Sequence, residues 1–454
     1  MKHIRKKQKL NRWIAGGAGA AALLSLPSHA FAQSSDAIIN KLVQKGVLSQ
    51  DEANDLKKES DQEFTKSFFA HSGMPAWTKN VTFSGDMRLR LDDQMFEDSL
   101  GKPDRLRYRY RLRYGGVWTA PDWVTVGFRL GSGDFRTALG DGNPNSNNQT
   151  ATHAFSKKPL YLDAAYVTLK PPGQDWISVT AGKMNNMMWQ PSFTSPIMYD
   201  PDLTPEGAIE QLNFKFGENK QYSVFANVSE LVLDELSGNR RDVYMYDAQA
   251  GFSAGVFGKD PKDPALKLTL AGGYFGTQNL TQMPVADNSG NVGNSVAGVN
   301  YLGEFQDIYG RGEVAFRFCD QPFLGTPAVI TLSGEYDKNL NDAYQFPADD
   351  QTTAWTGQIM FGKASKKGQW QIAYQYRRVE ANSVFDSLTD DDFGGGTDRK
   401  GHVIKAFYNV RDWWSLDAAV FLTEKITNRT GTHTQPGLEG QTQTHIYFDT
   451  VFKF

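Results

Sequence analysis

The sequence predicts an all-β fold: a transmembrane antiparallel barrel of sixteen strands, preceded by a short α-helical hairpin. Three observations carry this reading. From Val81 to Phe454 apolar and polar residues alternate with period two in segments of about ten residues, the length a tilted strand needs to cross a bilayer. The links between these segments are alternately short and long. Finally, Arg105 to Tyr114 reads RLRYRYRLRY, with Arg105, Arg107, Arg109, Arg111 and Arg113 on one face of a strand and Leu106, Tyr108, Tyr110, Leu112 and Tyr114 on the other. Helical spacing would wrap the arginines around the whole cylinder. If the apolar face meets lipid, the arginines must face a wet interior, because each Arg at the bilayer midplane costs about 2–4 kcal/mol. Several turned outward would exceed the roughly 5–15 kcal/mol that holds a typical protein folded.

The first thirty-two residues read as a secretory signal peptide. Lys2, Arg5, Lys6, Lys7, Lys9 and Arg12 precede the apolar run Trp13 to Leu26, and Ala30-Phe31-Ala32 supplies a small-residue cleavage site. Residues 33–80 form a periplasmic segment and linker. Ile38, Ile39, Leu42 and Val43 recur at helical spacing before Gly46, and Ser49 with Glu52 makes a capping box for a second helix, stapled by Leu48 and Ala53. No later stretch offers the ~18 consecutive apolar residues of a membrane helix.

The strands are expected at 81–91, 105–116, 124–131, 160–170, 176–184, 208–217, 222–231, 244–257, 266–276, 307–318, 328–336, 353–363, 369–379, 402–410, 414–422 and 445–454. Even-numbered strands are followed by short turns such as TAPDW, PPGQD, GENK and SKKG. Odd-numbered strands are mostly followed by long links, including 132–159, 185–207, 277–306 and 380–401. A soluble sandwich has no reason to alternate this way, whereas an outer-membrane barrel has periplasmic turns and long outer loops. Sixteen strands return both termini of the barrel domain, 81–454, to the periplasm. The last strand carries Ile446, Phe448, Phe452 and Phe454 on one face. Its aromatic terminus resembles the sorting signal read by the barrel-assembly machinery.

Loss of the leader removes six basic residues and no acidic ones, leaving 42 basic against 51 acidic and a charge of −9. Nucleic acid is therefore not an expected partner. Cys319 is the only cysteine, so no intramolecular disulfide can form.

Motifs beyond the barrel pattern carry a family resemblance. KLVQKGVLSQDEANDLKKE (41–59), GDMRLRL (85–91), the arginine strand, AGKM (181–184) and YDPDLTPEGA (199–208) resemble a bacterial family of putative sixteen-stranded porins. The resemblance implies a homotrimeric general-diffusion porin, embedded in outer-membrane lipid and lipopolysaccharide and passing small hydrophilic solutes. It also implies that the loop after the fifth strand folds inward. That loop holds Trp189, Phe193, Met198 and Tyr199, too apolar for exposure, with Asp200, Asp202 and Glu206 expected to face the arginines across the opening. The alternative is a loop packed on a neighbouring subunit.

Strand residues expected to line the lumen number sixteen basic, among them Arg88, Arg90, the five arginines from 105 to 113 and Arg129, against seven acidic. Such a wall favours anions. The alternative is that the arginines pair with loop carboxylates and leave a neutral pore. Acidic pairs and triples, Asp92-Asp93, Asp349-Asp350 and Asp390-Asp391-Asp392, are expected in the outer loops, without the fixed spacing of a calcium loop. No metal site or cofactor is predicted, and no enzyme either, since His71, His153, His402, His433 and His445 have no Ser, Asp or Glu arrangement that local spacing recommends for catalysis. Two functions remain: a general porin, or a channel specific for an anionic solute or sugar.

Overall fold

The computed structural model describes residues 41–45, 47, 49, 52–53, 55–56, 75–96, 103–120, 123–135, 141–236, 238, 241–256, 264–285, 293–344, 351–427, 429–430, 433–434 and 441–454. The leader and Asp349-Asp350 lie outside them. Two compact units divide the chain, residues 1–81 and 82–454. In the first, residues 41–44 are helical, and the capping box forms: the Ser49 amide donates to Glu52 Oε2 at 2.8 Å and the Glu52 amide to Ser49 Oγ at 3.2 Å. The remainder of the expected hairpin, Leu48 included, is outside the described residues.

The second unit is a closed antiparallel barrel. Its strands are β1 (Val81–Phe96), β2 (Arg105–Ala120), β3 (Val124–Gly131), β4 (Tyr161–Leu169), β5 (Ile177–Lys183), β6 (Glu206–Phe216), β7 (Tyr222–Asp234) and β8 (Val243–Val256). They continue as β9 (Leu266–Gln278), β10 (Gln306–Phe323), β11 (Thr326–Asn339), β12 (Thr353–Gly362), β13 (Trp370–Val379), β14 (Arg399–Arg411), β15 (Trp414–Lys425) and β16 (Thr442–Lys453). Each pairs with its sequence neighbours, and β1 pairs with β16 from Asp86 opposite Lys453 to Phe96 opposite Gln443. Closure satisfies the ladder groups that an open edge would strand in lipid at several kcal/mol each. At the seam the Phe454 carbonyl accepts from the Gly85 amide at 2.7 Å and the Gly85 carbonyl from the Phe454 amide at 3.0 Å. A Cβ at Gly85 would lie 2.6 Å from the Arg113 carbonyl oxygen and 2.7 Å from the Phe454 ring, so only glycine lets the last residue approach this closely.

Short turns follow the even strands throughout. Two links are of two residues, Leu324-Gly325 between β10 and β11 and Asp412-Trp413 between β14 and β15; the first has both residues at positive φ (48° and 84°), as a type I′ turn requires. Two expectations need correction. β1 and β10 run several residues past the predicted ends, because an alternating strand continues beyond the lipid wherever its polar face still finds partners. In consequence Asp92 and Asp93 are strand residues, not loop residues.

The outer surface is apolar. Tyr108, Leu112 and Tyr114 of β2, Phe128 of β3, Leu332 and Tyr336 of β11 and Ile359 of β12 are all exposed. Near the short turns the aromatics stack in an outer band: Trp176 on Phe214, Phe361 on Trp370, and Trp414 on Phe452. Such bands sit at the membrane–water interface. The opposite strand face is buried and polar, with Arg90, Asp92, Arg109, Arg111, Asp247, Gln249, Glu335, Gln375 and Arg377 nearly inaccessible. Loop segments that enter the barrel cover them.

Candidate functional site

The arginine stripe occupies one inner wall. Alternation along β1 and β2 sets Arg88 and Arg90 beside Arg107, Arg109, Arg111 and Arg113, and the residues between them point outward. Carboxylates meet most of these guanidinium groups. Arg90 donates Nε and Nη2 to the two oxygens of Asp449, at 2.8 and 2.9 Å, and Nη1 to Asp392 at 3.0 Å. Arg107 donates to Asp92 at 2.9 Å, and Arg109 lies 3.6 Å from Asp92 and 3.7 Å from Asp134. Asp86 takes a bond of 2.8 Å from each of Arg111 and Arg113, while Asp202 sits 3.3 and 3.4 Å from the same pair. Arg88 donates to the Asn148 amide oxygen at 2.6 Å, and Arg129 pairs with Asp163. Arg105, first in β2, is exposed.

The loop between β5 and β6, 184–205, crosses the interior. Its contacts reach four strands on the far side, which is possible only through the lumen of a closed barrel. The Trp189 amide donates to Gln249 of β8 at 2.8 Å, and its ring lies 6.1 Å from that of Phe225. Ser192 donates to Glu313 of β10, Thr194 to Gln358 of β12, and Ser195 to Gln375 of β13. Each uses a backbone amide that a loop must satisfy somewhere. Phe193 is half-buried at the turn where its amide bonds the Pro191 carbonyl at 2.7 Å. Tyr199 is buried at φ 62°, unusual for a bulky residue, and its hydroxyl donates to Asp247 at 2.9 Å. Glu206 does not belong to this loop. It opens β6 and pairs with Lys183 at 3.0 Å, because the ladder to β5 begins there.

A second loop, 380–398 between β13 and β14, also turns inward. Val384, Phe385, Leu388 and Phe393 are buried. Asn294 of the 279–305 loop donates to the Ala381 and Val384 carbonyls at 2.8 and 2.9 Å, and Asn145 of the 132–160 loop donates to the Ser387 and Thr389 carbonyls at 3.0 and 3.1 Å. The Asp200 amide donates to the Leu388 carbonyl at 2.9 Å, and the Asp391 amide to Asp200 Oδ2 at 3.3 Å. Thus Asp390, Asp391 and Asp392, expected at an outer tip, lie among the buried groups because the apolar residues flanking them draw the loop in.

Charge distribution within the two loops is uneven. Burial, with Asp391, Asp390 and Asp202 nearby, raises the Asp200 carboxyl well above the usual range. Burial beside Asp392 and Asp390 pushes Asp391 up to about 8. Asp392 and Asp202 go the other way. Burial alone would raise both, but Arg90 with His445 holds Asp392 low, and Arg111 with Arg88 holds Asp202 low. Among the described residues, Asp200, Asp390 and Asp391 place one oxygen each within 4.8 Å of one another, a separation that two oxygen ligands of one hard cation can span.

The profile of the putative porin family matches residues 101–290 and 325–432, which hold the arginine strand, both inward loops and most of the sheet. The chain belongs to the putative porin family. It is an outer-membrane porin channel. No curated protein sequence matches it. Pseudomonas putida OprB superposes with a TM-score of 0.50 at 11% identity, over 85% of this chain and 97% of that one, a likeness of fold. Vibrio cholerae OmpT in its trimer form gives a TM-score of 0.43 at 12% identity over 82% and 99%, and a mutant Rh. blastica porin gives 0.42 at 11% over 82% and 100%.

In this porin the sequence places Asp86, Asp163, Asp449 and Asp202 on the same side as the arginines, but not Asp92, Asp134 or Asp392. Sequence alone expects Asp92 and Asp392 in outer loops, whereas Asp92 is a strand residue and the loop holding Asp392 turns inward. A signal for that loop existed: VFDSLTDDDF (384–393) is as apolar, between its acids, as the Trp189 loop.

Proposed function

We propose that the porin mediates passive diffusion of small hydrophilic solutes and ions through a lumen narrowed by the 184–205 and 380–398 loops, with the arginine stripe as one wall. The observation that carries this reading is the barrel itself, sixteen closed strands with a charged, hydrogen-bonded interior and an apolar outside. The anion preference expected from strand residues is reduced once Asp202 and Asp392 of the loops are counted. A guanidinium within 4 Å of a carboxylate contributes little net field at a distance. Selectivity is therefore weak, tilted toward anions where Arg105, Arg107 and Arg113 reach water. Assembly as a homotrimer follows the family expectation, and the even number of strands supports both ends of the barrel lying on the periplasmic side.

Liposome swelling with sugars of increasing size tests this function. A general porin admits them in order of size, whereas swelling with one chemical class alone would support the rival, a substrate-specific channel.

A further inference from the structure

Apart from Asp134 of the 132–160 loop, 3.7 Å from Arg109, the carboxylates that meet the arginine stripe fall into two groups. Asp86, Asp92, Asp163 and Asp449 belong to barrel strands and cannot move without breaking the sheet. Asp202 and Asp392 come from the inward loops. Asp202 sits in the loop that porin architecture already assigns to the constriction. Asp392 does not. Both its oxygens lie on Arg90 Nη1, at 3.1 and 3.0 Å, and its backbone carbonyl lies 2.9 Å from His445 Nδ1 of β16. Its position is fixed by its own turn, since the Asp392 amide donates to the Asp390 carboxylate at 3.0 Å, and by Phe393, whose ring lies 4.7 Å from the Arg377 guanidinium. The side chain nevertheless keeps 19% of its surface accessible, while Arg90 keeps 3%. It is therefore the member of the pair that passing ions meet.

We propose that the 380–398 loop is a second constriction element and that Asp392 is a specificity-determining residue, the counter-charge that keeps the Arg88–Arg90 end of the stripe from selecting anions. The inference rests on the channel reading above. Arg90 has one bidentate partner in Asp449, which neutralises one positive charge; Arg88 shares that same carboxylate at 3.9 Å. With Lys405 of β14 and Asp417 of β15 beside them, three strand cations thus meet two strand carboxylates, and Asp392 supplies the third negative charge. Remove it, and the wall gains a net positive charge at a point where loops 132–160 and 380–398 have narrowed the path. A field confined by low-dielectric walls acts strongly on ions there.

The test replaces Asp392→Cys in a Cys319→Ser background and measures reversal potentials in a KCl gradient at low salt. Loss of the carboxylate should raise the chloride-to-potassium permeability ratio roughly twofold or more. Labelling the thiol with a sulfonate-bearing reagent should return the ratio toward wild type, and an ammonium-bearing reagent should raise it further. A purely structural role would not follow the sign of the added charge. Glu218→Gln, on the exposed turn after β6, removes one charge far from this loop and should leave the ratio unchanged. If the Asp392 variant does not assemble, as judged by heat-modifiable mobility, the same chemistry at half-buried Asp391 gives the readout at about pH 9, where its carboxyl is ionised. Conducting channels whose ratio ignores the charge at these positions would overturn the inference and leave the channel reading intact. A wild-type barrel that folds but does not conduct would overturn the channel reading instead.

Discussion

Arg90 is held by two carboxylates and by the ring of Tyr447, whose centroid lies 3.7 Å from the guanidinium carbon. Removing one member of a buried, hydrogen-bonded charge set leaves the others without compensation. Arg90→Gln should therefore cost about 3–5 kcal/mol, read as a lower urea midpoint for loss of heat-modifiable mobility. Arg105→Gln, at an exposed site, should change it by no more than about 0.5 kcal/mol. Equal shifts from the two variants would mean that the ion pairs do not hold the wall together. At Gly85 a methyl group meets the Arg113 carbonyl and the Phe454 ring, so Gly85→Ala should lower the yield of folded barrel by straining the seam. At this scale the sequence shows which side chains share a face, because a strand sorts neighbours by parity. It does not show partners. Arg90 and Asp449 are 359 positions apart, and only barrel closure brings them together.

The two inward loops differ in how far they could be foreseen. Trp189, Phe193 and Tyr199 marked the first, because aromatic residues in a loop call for burial. The second hid its apolar residues among five aspartates between 386 and 398, and acidic runs read as solvated. Those acids make its docking pH-dependent. Asp391 faces Asp390 and Asp392 on its own loop, Asp200 and Asp202 on the 184–205 loop, and Arg109 on β2. A carboxyl whose folded pKa is raised favours the folded arrangement below its unfolded pKa, near 4, and loses that contribution progressively as pH climbs to about 8. Hydrogen exchange of the amides between 380 and 398 should thus be slower at about pH 5 than at about pH 9, after correction for the intrinsic rate. Asp391→Asn should flatten the difference. Protection that stays constant in wild type would show that the loop is held by its backbone bonds alone.

Across the whole molecule, the strand count and the alternation of short and long links were legible, because a barrel in lipid repeats one physical unit sixteen times. Strand ends were less so, since β1 and β10 continue past the lipid on bonds the hydropathy pattern does not register. The seam joins residues near the two ends of the barrel unit, Gly85 and Phe454. Deleting Phe454 removes two seam bonds and the terminal aromatic. The expected result is unfolded protein retained in the periplasm, and a normal yield of heat-modifiable barrel would count against any part for Phe454 in assembly.

Diffusion requires an open aqueous path between the arginine wall and the two inward loops. The most direct measurement is current through the purified wild-type barrel in a planar bilayer with KCl on both sides. It should insert in discrete, persistent conductance steps. Its reversal potential in a gradient should lie close to zero with a slight anion bias, as a stripe balanced by carboxylates requires. Folded barrels that insert without any conductance step would contradict the account.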